Sequence, residues 1–119
     1  MRILILDDDP HLSRALARQL RAGAFDVQTA GSASSALALL SSQPFDAVLS
    51  DLDLGGDVTG LDFLALVARL LPHVGRILMT GLPGVAIDAS IGAVLEKPFA
   101  LGDVVSTLGD RSGAVAHAA

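Results

Sequence analysis

Short runs of consecutive apolar residues alternate along this chain with longer stretches in which apolar residues recur every three or four positions. The first run, Ile3-Leu4-Ile5-Leu6, ends abruptly in Asp7-Asp8-Asp9. A strand apolar on both faces is what a parallel sheet covered on both sides requires. Pro10 suits a first helical turn, where its missing N–H has no partner to lose. Leu12, Leu16 and Leu20 then recur at helical spacing, with Arg14, Arg18 and Arg21 on the polar side and Gly23 as the stop. Phe25, Val27 and Thr29 alternate as a second, more exposed strand. Ser32 or Ser34 caps a second helix through Leu37, Leu39 and Leu40, and Pro44 closes its exit. Ala47 to Leu49 is a third strand, ending at Ser50-Asp51. After the loop DLDLGGDVTG, the residues Leu61, Leu64, Val67 and Leu71 mark a third helix that stops near Pro72.

Arg76 to Met79 and Gly92 to Leu95 give two more strands, ending at Thr80-Gly81 and at Glu96-Lys97-Pro98. Leu101, Val104, Val105 and Leu108 give a last amphipathic helix. The rhythm weakens once, at GLPGVAIDASI, which has room for one or two helical turns over Val85 to Ser90. The whole reads as an α/β fold, an open doubly wound parallel sheet with helices on both faces.

Composition narrows the function classes. The 119 residues of 12.1 kDa make one domain, 51% of them apolar, which argues against global disorder. The net charge is −5, which disfavours direct nucleic-acid binding, since phosphate contacts need a basic face. With no cysteine there is no disulfide, thiolate nucleophile or Cys-ligated metal. No apolar run is long enough for a secretory signal or a membrane span, and a cytoplasmic domain fits. The tail SGAVAHAA (112–119) reads as a flexible end or the start of a linker.

In such sheets ligands collect beyond the C-terminal ends of the strands. Four of those ends carry polar groups: Asp7 and Asp8, Asp51, Thr80 and Lys97. Crowded carboxylates repel, and a hard cation such as Mg²⁺, which prefers oxygen ligands, removes the repulsion. An ammonium and a hydroxyl suit the oxygens of a transferred phosphoryl group, with a carboxylate as nucleophile. Singly, each group has a plainer reading. Asp9, Asp53, Asp57 and Asp62 are solvated, turn or cap residues, Thr80 a turn residue and Lys97 a salt-bridge partner.

The blocks ILILDDDP, FDAVLSDLDL with TGLDFL, RILMTG and VLEKPF, in that order, resemble the receiver domain of bacterial two-component response regulators, over residues 2–109. The resemblance implies a flavodoxin-like five-stranded sheet of order 2-1-3-4-5, with a shortened or irregular fourth helix, in a receiver domain over residues 1–111. It implies phosphorelay signalling, with Asp51 as phosphoacceptor. Mg²⁺, with Mn²⁺ as a substitute, would be held by Asp8, Asp51 and the Asp53 backbone carbonyl, and by Asp7 through water. Leu52 and Gly81 would line the phosphoryl pocket with backbone, Lys97 would act beside a cis Pro98, and Thr80 with the Val94 position would form the switch. The implied partner is a sensor histidine kinase or histidine phosphotransfer domain, docking on the first helix at Leu12, Ala15 and Leu16. Such a domain is not a conventional enzyme, but it catalyses its own aspartyl phosphorylation and dephosphorylation.

Three departures stand out. The loop after Asp51 has Gly-Gly where the common pattern has a proline and one residue fewer before Gly60. Val94 replaces the usual aromatic switch residue. Thr80 and Lys97 are about five residues closer than is typical. The missing length falls on a face through which receivers often dimerise, so the oligomeric state stays open. A degenerate receiver working as a phosphorylation-independent interaction module is the alternative. Asp51-Leu52-Asp53 also spells the motif of aspartyl phosphatases, whose cap and substrate insert this chain lacks.

Overall fold

The structure, a computed structural model, describes residues 1–108. The 112–119 tail and the last residues of the 1–111 domain assignment lie outside them. Five parallel strands, β1 (Arg2–Leu6), β2 (Asp26–Ala30), β3 (Ala47–Asp51), β4 (Gly75–Thr80) and β5 (Ala93–Glu96), form one sheet in the order β2-β1-β3-β4-β5. The connecting helices are α1 (Pro10–Ala22), α2 (Ala33–Ser42) and α3 (Gly60–Leu70), and residues 101–108 are helical as α4. This is the doubly wound sheet expected from the alternation, in the flavodoxin-like order that the resemblance implies.

Successive residues of a strand point to opposite faces, so each apolar run feeds two cores. Ile3, Ile5, Leu49, Ile77 and Met79 pack with Ala17 and Leu20 of α1 and Val104 and Leu108 of α4. Leu4, Leu6, Val48 and Leu78 pack with Ala36 and Leu40 of α2 and Phe63, Leu64 and Val67 of α3. Each such Val, Leu, Ile, Met or Phe side chain contributes about 1.5–3 kcal/mol on burial.

The helix starts follow their sequence signals. The Asp9 carboxylate accepts from the N–H groups of His11 and Leu12, which makes Asp9 the α1 cap. Ser32, rather than Ser34, caps α2 in a reciprocal box with Ser35. Thr59 and Asp62 do the same for α3. The face of α1 differs from the leucine stripe. Ser13, Ala17 and Leu20 turn inward, while Leu16 is half-buried and Leu12 is 53% exposed. Ser13 can be buried because its hydroxyl donates to the Asp9 carbonyl, 3.2 Å away.

Between β4 and β5 no helix forms, in place of the one or two turns expected over Val85 to Ser90. Residues 81–92 run as bends and turns, with Val85, Ile87 and Ile91 lying on the second core. The buried Arg76 fastens this strap. Its guanidinium donates to the carbonyls of Ile91 (2.7 Å), Ser90 (3.3 Å), Val74 (2.6 Å) and Pro72 (3.1 Å). Among the described residues no helix is long and apolar enough to cross a membrane.

Candidate functional site

Parallel pairing brings the C-terminal ends of β1, β3, β4 and β5 to one edge. Leu6 pairs with Ser50, Asp51 with Met79, and Thr80 with Glu96. The residues at and just beyond those positions are Asp7, Asp8, Asp51, Thr80 and Lys97, and the fold gathers all five.

Lys97 directly follows the end of β5. Its backbone N–H donates to the Thr80 carbonyl at 2.7 Å, and the peptide bond to Pro98 is cis, as expected. Its Nζ lies 2.9 Å from Asp51 Oδ1 and 4.0 Å from Asp7 Oδ2. Asp7, Asp8 and Asp51 each offer a carboxylate oxygen within 4.8 Å of the others. Asp7 is buried, Asp51 half-buried and Asp8 exposed, so the cluster opens to solvent on one side.

Burial pushes the Asp7 carboxyl above its ordinary range. The Asp9 N–H, donating to Oδ1 at 2.9 Å, pulls it back. The Asp51 charge raises it further, Lys97 opposes, and Asp8 adds a smaller push upward. A buried carboxylate repelled by two others is a setting that a divalent cation relieves. The donor set is all hard oxygen and fits Mg²⁺ by its chemistry.

Thr80 is buried at the crevice floor. Its Oγ1 accepts the Leu82 N–H at 3.0 Å, which leaves the hydroxyl proton to donate elsewhere. Among the described residues the N–H groups of Asp53 and Gly81 make no hydrogen bond. Leu52 is different: its N–H donates to the Met79 carbonyl at 2.9 Å. That Leu52 donor is engaged with β4. Sequence spacing could not reveal this, since it depends on where β3 stops pairing.

The loop after Asp51 is closed at its base by the Gly60 N–H donating to the Leu52 carbonyl, 2.8 Å away. Any side chain at Gly60 would strike the Asp51 carbonyl, so α3 can start this close to the site only with glycine. The Asp53 carboxylate accepts the Gly55 N–H at 2.9 Å, a turn role, and its side chain is exposed. Val94 is half-buried on the second core. A groove of about 270 Å³ opens beside Lys97, lined by Leu12, Leu16, Gln19, Met79, Pro98 and Phe99 among others. Leu12, 53% exposed on α1, lies on this groove.

Comparison with known proteins agrees with this geometry. The family described as the response regulator receiver domain matches residues 3–108. The response regulator receiver protein CpdR of Brucella abortus is 28% identical over 112 residues, covering 90% of this chain and 92% of its own. The response regulator TrrA of Thermotoga maritima, solved in complex with Mg²⁺ and BeF, superposes with a TM-score of 0.79 at 25% identity, covering 90% of this chain and 97% of its own. A response regulator from Burkholderia pseudomallei, solved with a phosphorylated aspartic acid and a calcium ion, gives 0.81 at 26% identity, covering 99% and 72%. The chain spans about a fifth of the length of the first curated relatives it matches, 22% in each.

Proposed function

This chain belongs to the response regulator receiver domain family, and on that premise we propose that Asp51 accepts a phosphoryl group from a phosphohistidine in a Mg²⁺-dependent reaction. The observation that carries this reading is the 2.9 Å pair of Lys97 Nζ and Asp51 Oδ1, set against the carboxylates of Asp7 and Asp8. A carboxylate held beside an ammonium at the mouth of a crevice is both nucleophile and electrostatic partner for an incoming phosphoryl group.

In the forward step an Asp51 oxygen attacks phosphorus, an O–P bond forms, and the P–N bond to the donor imidazole breaks. The electron pair stays on the ring nitrogen, which takes up a proton. Lys97 follows the charge from the carboxylate to a phosphoryl oxygen. Thr80 donates its free hydroxyl proton to another, and the unengaged N–H groups of Gly81 and Asp53 are placed by this reading at the remaining oxygens. Asp8 and Asp51, with the Asp53 carbonyl and with Asp7 through water, would hold Mg²⁺, or Mn²⁺ in its place. When bound, the ion offsets the negative charge of the carboxylates and of the phosphoryl group. In a separate dephosphorylation step a water attacks phosphorus and loses a proton, the O–P bond to Asp51 breaks, and the Asp51 carboxylate and inorganic phosphate result. The domain thus catalyses its own phosphorylation and dephosphorylation within residues 1–111, with 112–119 as tail or linker.

The donor is a sensor histidine kinase or histidine phosphotransfer domain, which places the chain in the cytoplasm. The apolar groove of Leu12, Ala15, Leu16 and Phe99 beside Lys97 supports docking there, with Leu12 offered to the partner. Draw of Thr80 toward the phosphoryl group then changes the binding surface.

Incubation with a small phosphodonor and Mg²⁺, followed by intact-mass measurement, tests this. One phosphoryl group should be added to the wild type and none to Asp51→Asn or in excess EDTA. A gain that survives Asp51→Asn removes the assignment. No gain at all favours the phosphorylation-independent interaction module.

A further inference from the structure

The one-residue-longer loop after Asp51 has a physical consequence at the metal cluster. Gly55 sits at φ +76°, a left-handed conformation that proline cannot adopt and most residues resist. Both neighbouring hydrogen bonds draw the loop inward: Gly60 N–H to the Leu52 carbonyl closes the base, and Gly55 N–H to the Asp53 carboxylate tightens the tip. The backbone of Gly55 thereby comes to rest against Asp8. A Cβ at this position would lie 2.6 Å from Asp8 Oδ2 and 3.7 Å from its Cγ. Asp8 is exposed, and among the described residues its carboxylate accepts no hydrogen bond.

We propose that Gly55 is a positioning residue for Asp8, its bare backbone forming the wall that lets the Asp8 carboxylate stand toward Asp7 and Asp51. The inference rests on the metal-site reading above and adds a residue to it. A methyl group at 55 displaces Asp8 Oδ2, a far end that can swing away into solvent. The protein therefore tolerates the displacement, while the three-carboxylate cluster loses its arrangement. Partners that orient metal ligands are commonly worth ten- to hundredfold in affinity. The expected loss of Mg²⁺ affinity in Gly55→Ala is about tenfold.

Two other glycines separate this role from backbone strain. Gly84 has nearly the same φ, +73°, with nothing within 4 Å of a Cβ, and Gly56 is Gly55's neighbour in the loop, also with open space around it. Mg²⁺ titrations followed by amide chemical shifts, with metal-free melts by circular dichroism, should be run on wild type, Gly55→Ala, Gly84→Ala, Gly56→Ala and Asp8→Ala. The expected result is a similar drop in melting temperature for Gly55→Ala and Gly84→Ala, with weakened Mg²⁺ binding in Gly55→Ala and Asp8→Ala alone. Unchanged Mg²⁺ affinity in Gly55→Ala overturns the proposal while leaving the metal site standing. Equal weakening in Gly84→Ala or Gly56→Ala also overturns it, since the effect would then be general. If the wild type shows no Mg²⁺ response, the metal-site reading itself fails and takes the proposal with it.

Discussion

Replacing Asp7 by Asn should make the metal-free protein more stable, although it removes a carboxylate from the centre of the site. The Asp7 side chain is 5% exposed. Asp8 and Asp51 offer oxygens within 4.8 Å of it, and Lys97 lies 4.0 Å away. Two repulsions at these distances exceed one attraction. With an effective dielectric constant between about 20 and that of water, the surplus is roughly 1–3 kcal/mol. Asparagine keeps an oxygen for the Asp9 N–H, so the substitution orphans no buried donor. For a domain of this size that gain raises Tm by roughly 4–12 °C.

Thermal and urea unfolding followed by circular dichroism in EDTA would measure the gain. The same melts in Mg²⁺ should narrow or reverse it: at a hundred times Kd the wild type gains about 2.7 kcal/mol, and the variant less. The pH dependence has a definite sign. Because burial raises the Asp7 carboxyl, the repulsion is absent where Asp7 is protonated in both states and complete only above the raised value. The advantage of Asp7→Asn should therefore grow as pH climbs from strongly acid to neutral. A variant less stable than wild type in EDTA at neutral pH would refute the reasoning, since the Lys97 attraction would then dominate.

Arg76→Met should destabilise the protein by about 2–4 kcal/mol in urea titrations, because it strips donors from the carbonyls of Ile91, Ser90, Val74 and Pro72; a loss under about 0.5 kcal/mol would contradict the clamp. Lys97→Ala leaves the carboxylates of Asp51 and the buried Asp7 without their counter-charge and should cost about 1–3 kcal/mol of metal-free stability with the fold retained, while slowing phosphoryl transfer more than about tenfold. A fold that collapses on this change would mean Lys97 is structural first. Asp9→Ala removes the acceptor for the N–H groups of His11 and Leu12 and should cost about 1 kcal/mol, measured by the same melts.

The strand ends were legible because a run such as Ile3 to Leu6 that stops in acids states both its burial and its exit. The gathering of Asp7, Asp8, Asp51, Thr80 and Lys97 then follows from parallel strands that end at one edge, while the sheet order is what the family resemblance implies. What sequence could not supply depends on register and rotation. The pairing of the Leu52 N–H with Met79 is set by how far β3 continues, which spacing does not show. The leucine stripe did not settle the inward face of α1, because Ser13 can be buried once its hydroxyl finds the Asp9 carbonyl, with Leu12 turned outward. The Gly-Gly loop was visible as a departure from the common pattern, but the contact of Gly55 with Asp8 joins segments far apart in sequence.

The absent helix between β4 and β5 accounts for a buried arginine that no pattern singled out. A helix satisfies its own carbonyls, whereas a strap must find donors elsewhere. Arg76 supplies them from β4 with a planar fork suited to several acceptors, and the hydrogen bonds offset the cost of burying its charge. At the same end Asp88 accepts from the Ser90 N–H and hydroxyl, which holds its carboxyl below the ordinary range. The other end, next to the Lys97–Asp51 pair, is held at Thr80 by a bond from the Leu82 N–H, and Leu82 itself is 60% exposed. Bonds to a rigid strand resist displacement more than a bond to a hydroxyl that can rotate. The end of the strap that yields first is therefore the one whose hydroxyl the phosphoryl group would attract.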